Sequence, residues 1–349
     1  MINEKLIKEK ALELGYEDCG IINISEINDY AEKINDRIIK FPNTKNTLEK
    51  LNRFTNLNER FPWAKSIIVC VRKYGKYSIP NNLKNLIAKY YLVDGRINEQ
   101  SIDFQASIEF ETFLNKVGLK TATERKFGLT ALRWAAFKAG LGIIRRNNFF
   151  YTEKSGSWVY LEAWLIDCDM EMKNNDNSKP CPNNCNKCIK ACPTKSLHEP
   201  YSMDRSTCVS CLTTFEGWDM SKESNNHNIG NWIYGCDVCQ DICPFNKNKW
   251  MENEQFPRLN ELAEHISLEK IIEMDYTYLE GIISSKFFYI GKGDVYKWKT
   301  NALNAMLNNY NENYLFYIRK ACNDSNEHVR NMAEWVLDKI TNYVPSMTE

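Results

Sequence analysis

The sequence predicts a chain of mixed α and β content: an α/β front, a metal-binding middle and an all-helical tail. Three observations carry this reading. From Met1 to about Asp169, β-branched runs of strand length alternate with segments of helical period. Nine of the thirteen cysteines fall between Cys181 and Cys243. From Met251 onward cysteine almost disappears and helical spacing takes over. A length of 349 residues suits two or three domains. With 43% hydrophobic residues the chain can bury a real core, which excludes wholesale disorder. The expected domains are 1–172, 173–250 and 251–349.

The elements follow from local pattern. Leu6 to Leu14 is amphipathic, Cys19-Gly-Ile-Ile-Asn-Ile reads as a strand, and Ile27 to Ile39 returns to helical spacing. Ser66-Ile-Ile-Val-Cys-Val is the short β-branched run that a buried strand uses. Ile108 to Val117 and Leu129 to Ala139 carry helical spacing, the second ended by Gly140. Phe149 to Leu161 reads as a hairpin with Gly156 in its turn, and the sheet is expected to be mixed. A polar connector, Lys173 to Pro180, leads into the cysteine zone. Segments around Asn301–Leu307, Tyr314–Ala321 and Val329–Ile340 suggest short stacked helices. Asn323-Asp-Ser-Asn-Glu between the last two has the cap and turn residues of helical repeats.

Charge narrows the function classes. Lys plus Arg and Asp plus Glu both total 45, so the formal net charge is zero. That is poor material for wrapping nucleic acid by charge alone. The neutrality is uneven. The first 180 residues hold 28 basic and 23 acidic side chains, while residues 251–349 hold 10 and 15, a net of −5. The N-terminal stretch has no apolar run of signal-peptide length, and the longest apolar run, Ile67 to Val71, falls far short of a membrane span. Arg145-Arg146 is internal and is not an export signal. A cytoplasmic protein without membrane contact is expected. In a reducing compartment, clustered cysteines read as metal ligands or redox centres and not as disulfides.

The cysteine zone is the specific signal. It reads Cys181-x3-Cys185-x2-Cys188-x3-Cys192-Pro193, then Cys236-x2-Cys239-x3-Cys243-Pro244. Thiolates are the soft donors that hold iron–sulfur clusters, four to each [4Fe-4S] cube. A short-spaced triplet wraps three corners, and the distant cysteine before a proline turns away to the partner cube. This crossing puts Cys181, Cys185, Cys188 and Cys243 on one cluster. The other takes Cys192, Cys236, Cys239 and a fourth thiolate from Cys208 or Cys211. Structural zinc is the competing reading, since paired CxxC motifs also make four-cysteine zinc sites. A third cysteine just beyond a CxxC, followed twice by proline, favours clusters. Cys19, Cys70, Cys168 and Cys322 are expected to be core thiols. A simple electron carrier needs little beyond the cysteine zone, so the long front region favours an enzyme with a second cofactor.

Three stretches carry a likeness to a known family: Cys-Ile-Lys-Ala-Cys-Pro-Thr-Lys-Ser-Leu (188–197), Cys-Val-Ser-Cys-Leu-Thr (208–213) and Ile-Tyr-Gly-Cys-Asp-Val-Cys-Gln-Asp-Ile-Cys-Pro-Phe-Asn (233–246). They resemble the epoxyqueuosine reductase family, whose members pair two [4Fe-4S] clusters with a corrinoid. The resemblance implies Cys208 as the fourth ligand of the second cluster, with Cys211 where the family usually has an aromatic residue. Ala139-Gly-Leu-Gly-Ile-Ile-Arg-Arg-Asn (139–147) resembles the family's glycine-rich turn, implying Gly140, Gly142, Arg146 and Asn147 as cofactor-binding residues. The fold it implies is an α+β/α/β chain: an N-terminal α/β corrinoid-type domain, a dicluster ferredoxin-like insert and C-terminal α-helical HEAT-like repeats.

Two departures bear on the chemistry. Counting back to the family's proton-donating aspartate lands on Lys126, with Glu124 and Tyr151 as other candidates for the acid. The family's Asp-Tyr-His stretch is absent, and Lys89-Tyr-Tyr-Leu-Val-Asp-Gly-Arg stands near its place. None of His198, His227, His265 or His328 lies in the front region, so a histidine-ligated corrinoid is not expected. The implied function is a cobalamin-dependent, oxygen-sensitive reductase of anaerobic chemistry, acting in tRNA queuosine biosynthesis. It would act as a monomer supplied by an external low-potential electron donor. The alternatives are a corrinoid-dependent reductase of a small molecule and a dicluster electron-transfer protein without corrinoid.

Overall fold

The computed structural model describes residues 3–214 and 229–342; His227 lies outside them. The front of the chain is built on a four-stranded sheet. Its strands are β1 (Asp18–Asn23), β2 (Ser66–Lys73), β3 (Thr121–Ala122) and β6 (Val159–Ile166), in the order β1-β2-β6-β3. Every pairing is antiparallel, with Ile67 opposite Leu165 and Ile22 opposite Ile67. The expected mixed sheet is corrected: no parallel pair joins these strands.

Alternation sorts the strand residues between two cores. Cys19, Ile21, Ile68, Cys70, Trp164 and Ile166 face one side, under Ile7 and Ala11 of the helix Glu4–Glu13 and Phe110 and Leu114 of the helix Ile102–Lys116. Ile22, Ile67, Val69, Val71, Leu161, Ala163 and Leu165 face the other, under Ala135 and Ala136 of the helix Leu132–Lys138. Burial on both faces explains the continuous apolar run of β2. Each fully buried Ile or Val contributes about 1.5–3 kcal/mol. Cys19 and Cys70 sit opposite each other inside the first core, while Cys168 and Cys322 pack at core edges.

The expected hairpin over Phe149–Leu161 is also corrected. Strand β5 (Phe150–Tyr151) pairs with β4 (Ile143–Ile144), and β6 pairs with β2 and β3 instead. Gly156 does sit in a tight turn, closed by the Thr152–Gly156 bridge. Its left-handed backbone (φ 62°) also lets Asn246 approach: a Cβ there would lie 2.3 Å from Asn246 Oδ1. Asn246 Oδ1 accepts from the Ser157 amide at 2.9 Å, and its Nδ2 donates to Ser157 Oγ at 2.8 Å. The end of the cysteine zone is thereby fastened to the front sheet.

The helix Leu132–Lys138 ends where Gly140 takes φ 70°. The polar connector then crosses this helix end. Asn174 N donates to Ala139 O at 2.9 Å, and Asp176 N donates to Gly140 O at 3.0 Å.

In the tail, the helix Glu327–Asn342 packs on both the helix Tyr314–Ala321 and the helix Tyr296–Asn308, whose residues Lys297 to Met306 are all buried. One apolar cluster runs from Tyr74, Leu83 and Val93 through Val209, Leu212, Ile233 and Tyr234 into this tail. Tyr234 stacks on Trp298 at 5.1 Å, and Asn301 Nδ2 donates to the carbonyls of Thr213 and Ile233. Among the described residues no helix is long and apolar enough to cross a membrane.

A Cβ on Gly140 would lie 1.9 Å from Asn174 O, in a backbone region that L-residues avoid. Gly140→Ala is expected to lower unfolding free energy by about 2 kcal/mol or more. Denaturant titration checks this; an unchanged midpoint contradicts the packing role.

Candidate iron–sulfur centre and adjoining cavity

The crossed spacing of the cysteines brings them into two groups. Cys181, Cys185 and Cys188 lie at and before the short helix Lys187–Ala191, and Cys243 follows the helix Val238–Asp241. The two helices pack together, and these four cysteines line one small pocket with Arg145, Arg146 and Phe245. Cys188 is pushed up to about 11, by burial first and then by the neighbouring Cys243, Cys181 and Cys185. Four thiols facing one space repel as thiolates until a cationic centre takes up their charge. The extra residue between Cys181 and Cys185 is absorbed in a turn, where Cys185 N donates to Pro182 O at 3.0 Å. Arg146 holds that turn by donating to the carbonyls of Asn183 (2.8 Å) and Cys185 (2.9 Å) and to Asn186 Oδ1. Arg145 lies 3.4 Å over the Phe245 ring and points Nη1 at Cys181 Sγ, 3.8 Å away.

The second group is Cys192, Cys208, Cys236 and Cys239. All four border a larger cavity of about 490 Å³. Burial drives the Cys236 and Cys239 thiols well up, and each is raised further by Cys192 and Cys208. Cys208 behaves oppositely. A hydrogen bond from Cys211, then the amides of Ser210 and Cys211, draw it down to about 6 despite burial. Cys211, the other cysteine that spacing left as an alternative, borders the same cavity. Among the described residues no three His, Cys, Asp or Glu side chains converge on one ion-sized point. A soft four-sulfur set matches the chemistry of a cube.

Three kinds of group line the cavity. Phe54, Leu132, Phe150, Val159 and Leu161 form an apolar wall, Val159 and Leu161 from β6 and Leu132 from the helix Leu132–Lys138. Tyr74, Tyr90 and Tyr289 form a phenolic wall, and burial raises all three so that each keeps its proton. The Arg96 guanidinium lies 5.0 Å over the Tyr90 ring and is held by a bidentate pair to Asp94 at 2.9 and 2.7 Å. Arg37, Arg133 and Arg205 supply a cationic wall. Asp237, beside Cys236, is raised by burial to about 6 and accepts from Lys89 N at 2.8 Å. Asn148 sits at φ 64° with its buried Nδ2 lacking any partner. An unpartnered buried donor on an open wall fits a bound polar ligand. Phe127, 47% exposed, meets Phe288 at 5.4 Å and completes an aromatic rim with Tyr289.

The residues named from sequence are placed unevenly. Asn147 lines the cavity and donates to Tyr151 Oη (2.9 Å) and to Cys239 O (3.0 Å). Gly140 and Gly142 do not line it. Their missing side chains make room for the backbone of Asn174 and of Tyr151. Arg146 serves the cysteine loop and does not line the cavity. Tyr151 is buried beside Cys243, off the cavity, and burial followed by that thiol raises it. Glu124 and Lys126 face solvent: Glu124 Oε1 accepts from the Lys126 amide at 2.9 Å, and Lys126 Nζ lies 4.3 Å over Phe288. None of these three candidate acids reaches the cavity. The phenols and arginines that do reach it, Tyr90, Tyr289, Arg37 and Arg205, belong to no spaced motif. Only the Lys89–Arg96 stretch held a signal.

Residues 181–246 match the family model of a 4Fe-4S double cluster binding domain. The chain is 27% identical over 274 residues to an epoxyqueuosine reductase of Cellulophaga algicola, covering 76% of this chain and 85% of that one. It is 33% identical over 138 residues to that of Atelocyanobacterium thalassa, 40% of this chain and 45% of the relative. Among solved structures it superposes on epoxyqueuosine reductase from Streptococcus thermophilus with a TM-score of 0.72 at 21% identity, covering 99% of this chain and 95% of that one. That likeness extends to the fold.

The Arg146 clamp carries a consequence for the first cysteine group. In iron-loaded protein, Arg146→Ala frees the carbonyls of Asn183 and Cys185. A chelator is then expected to strip about half the iron several-fold faster, with the other half at the native rate. Uniform loss of all iron contradicts a local clamp.

Proposed function

We propose that the chain, a divergent member of the epoxyqueuosine reductase family, is an iron–sulfur, corrinoid-dependent oxidoreductase that removes the epoxide oxygen in tRNA queuosine biosynthesis. The observation that carries the reading is the shared wall: one thiol quartet borders the cavity of about 490 Å³. In this reading Cys181, Cys185, Cys188 and Cys243 hold one [4Fe-4S] cluster, and Cys192, Cys208, Cys236 and Cys239 hold the other. The apolar wall at Val159 and Leu161 and the amides of Asn147 and Asn148 suit the face and fringe of a corrinoid. When bound, these groups supply single electrons of low potential and a nucleophilic metal centre. The electrons come from an external donor, and the protein works as a monomer. The division of labour follows residues 1–172, 173–250 and 251–349.

This chain's residues must then supply protons, because reducing an epoxide to an alkene consumes two electrons and two protons and releases water. Tyr90 is the proposed proton holder, at Oη. It lines the cavity, burial keeps it protonated, and the Arg96 guanidinium over its ring stabilises the phenolate left behind. Asp94 fixes Arg96 in that place. The aromatic rim at Phe127 and Phe288 offers stacking faces to unpaired bases. An epoxyqueuosine reductase has been solved with an epoxyqueuosine-modified tRNA-Tyr stem loop, and the same substrate class is proposed here.

Tyr90→Phe is expected to lower turnover by about 10²–10⁴-fold while leaving iron content and corrinoid spectra unchanged. Equal turnover would remove Tyr90 from the mechanism. The function itself is tested by nucleoside analysis of tRNA from cells in which this gene is the only reductase of its kind. Its deletion is expected to replace queuosine with epoxyqueuosine. Unaltered queuosine would contradict the assignment.

A further inference from the structure

The two segments that carry the first cysteine group are charged with one sign. Residues 179–195 and 241–249 hold Lys179, Lys187, Lys190, Lys195, Lys247 and Lys249 and a single acid, Asp241, which is already paired with Lys89. Lys187 borders the pocket of Cys181, Cys185, Cys188 and Cys243, and Lys190 follows three residues on along the same helix, Lys187–Ala191. Lys247 follows the turn Pro244–Asn246 by which the chain leaves Cys243. Lys179, Lys187, Lys190, Lys195 and Lys247 are exposed, and among the described residues none of their ammonium groups has a hydrogen-bond or ion-pair partner. Apolar surface lies beside the same thiols. Ile242, 45% exposed, directly precedes Cys243, and Pro182 and Pro244 are exposed as well. Cys181, Cys185 and Cys243 are themselves only half-buried, and none of the four thiols lines the large cavity.

We infer that this lysine-rimmed face is the docking surface of an acidic one-electron carrier protein. It rests on the reading given under Proposed function and gives the external donor a place and a chemistry. Unpaired lysines around a small apolar centre suit a transient encounter: the charges steer a partner of opposite sign, and the limited apolar contact lets it leave after transfer. Each encounter oxidises the carrier by one electron and reduces the centre held by the first cysteine group by one, and no bond forms or breaks. Two encounters supply the two electrons that one epoxide consumes. RNA phosphate is also drawn to lysines, but a base that reacts has to enter the cavity, and this face surrounds the quartet that lies off it. The tail, at a net charge of −5, repels an acidic carrier and so confines its approach to the cysteine zone.

The test uses the full-length, iron-loaded protein, flavodoxin as the acidic carrier, and the variants Lys190→Glu and Lys247→Glu. Lys116→Glu, at an exposed lysine of the helix Ile102–Lys116, makes the same charge change elsewhere. Dissociation constants are measured over a salt series for oxidised flavodoxin and for an anticodon stem loop. The rates at which reduced flavodoxin and dithionite reduce the iron centres are measured beside them. Flavodoxin affinity and its reduction rate are expected to fall about three- to ten-fold at low salt in both face variants and to stay native in Lys116→Glu. The wild-type affinity is expected to weaken as salt rises, and dithionite to reduce every variant at the native rate. Native flavodoxin affinity in the face variants, an equal loss in Lys116→Glu, or slower reduction by dithionite overturns the surface alone. Weaker stem-loop binding with native flavodoxin affinity assigns the face to RNA and overturns it equally. A wild-type protein whose centres dithionite does not reduce overturns the surface together with the reading it rests on.

Discussion

The crossing of cysteines between the two ends of the cysteine zone is the constraint on which the rest depends. Cys243 joins Cys181, Cys185 and Cys188, while Cys192 joins Cys236 and Cys239. Each group is incomplete without a residue from the opposite segment. The short helices Lys187–Ala191 and Val238–Asp241 must therefore pack side by side, and the chain between them must return on itself. Cys208 enters the second group from that return, with its thiol already drawn toward the thiolate by Cys211. Eight thiolates in so small a volume are unfavourable alone, so metal binding and the fold of this zone stabilise one another.

The front sheet gives this arrangement a fixed seat. Strands β2 and β6 are buried on both faces, so neither slides without exposing a whole row of Ile, Val and Leu. Two contacts transmit that rigidity to the cysteines. Asn246 binds Ser157 at the end of β6's approach, and Asn147 binds the Cys239 carbonyl from beside β5. The tail adds a third, through Asn301 to the carbonyls of Thr213 and Ile233. The cavity exists because sheet, cysteine zone and tail meet without filling the space between them, leaving phenols and guanidiniums as its lining.

What was legible in the sequence follows from how each feature is encoded. The strands Asp18–Asn23 and Ser66–Lys73 and the tail helices were readable because burial writes itself as periodicity. The double-cluster zone over residues 181–246 was readable because ligand spacing is local chemistry. Pairing direction was not, since a strand buried on both faces looks alike in parallel and antiparallel sheets, and the expected mixed sheet was wrong. Gly140 and Gly142 show the limit of a glycine signal. It reports that something comes close, and here the close neighbours are Asn174 and Tyr151 of the chain itself. The cavity wall was the least legible part. Arg37, Arg133 and Arg205 are brought together only by tertiary docking, and no spacing rule joins residues so far apart.

The central claim is that two crossed cysteine quartets each hold a four-iron centre and that the second borders the cavity. Anomalous scattering at the iron edge from crystals of anaerobically loaded protein tests it most directly. The account predicts two four-iron peaks, one within Cys181, Cys185, Cys188 and Cys243, the other within Cys192, Cys208, Cys236 and Cys239 at the cavity wall. Single-metal peaks at either quartet, or a centre that takes Cys211 in place of Cys208, would contradict it.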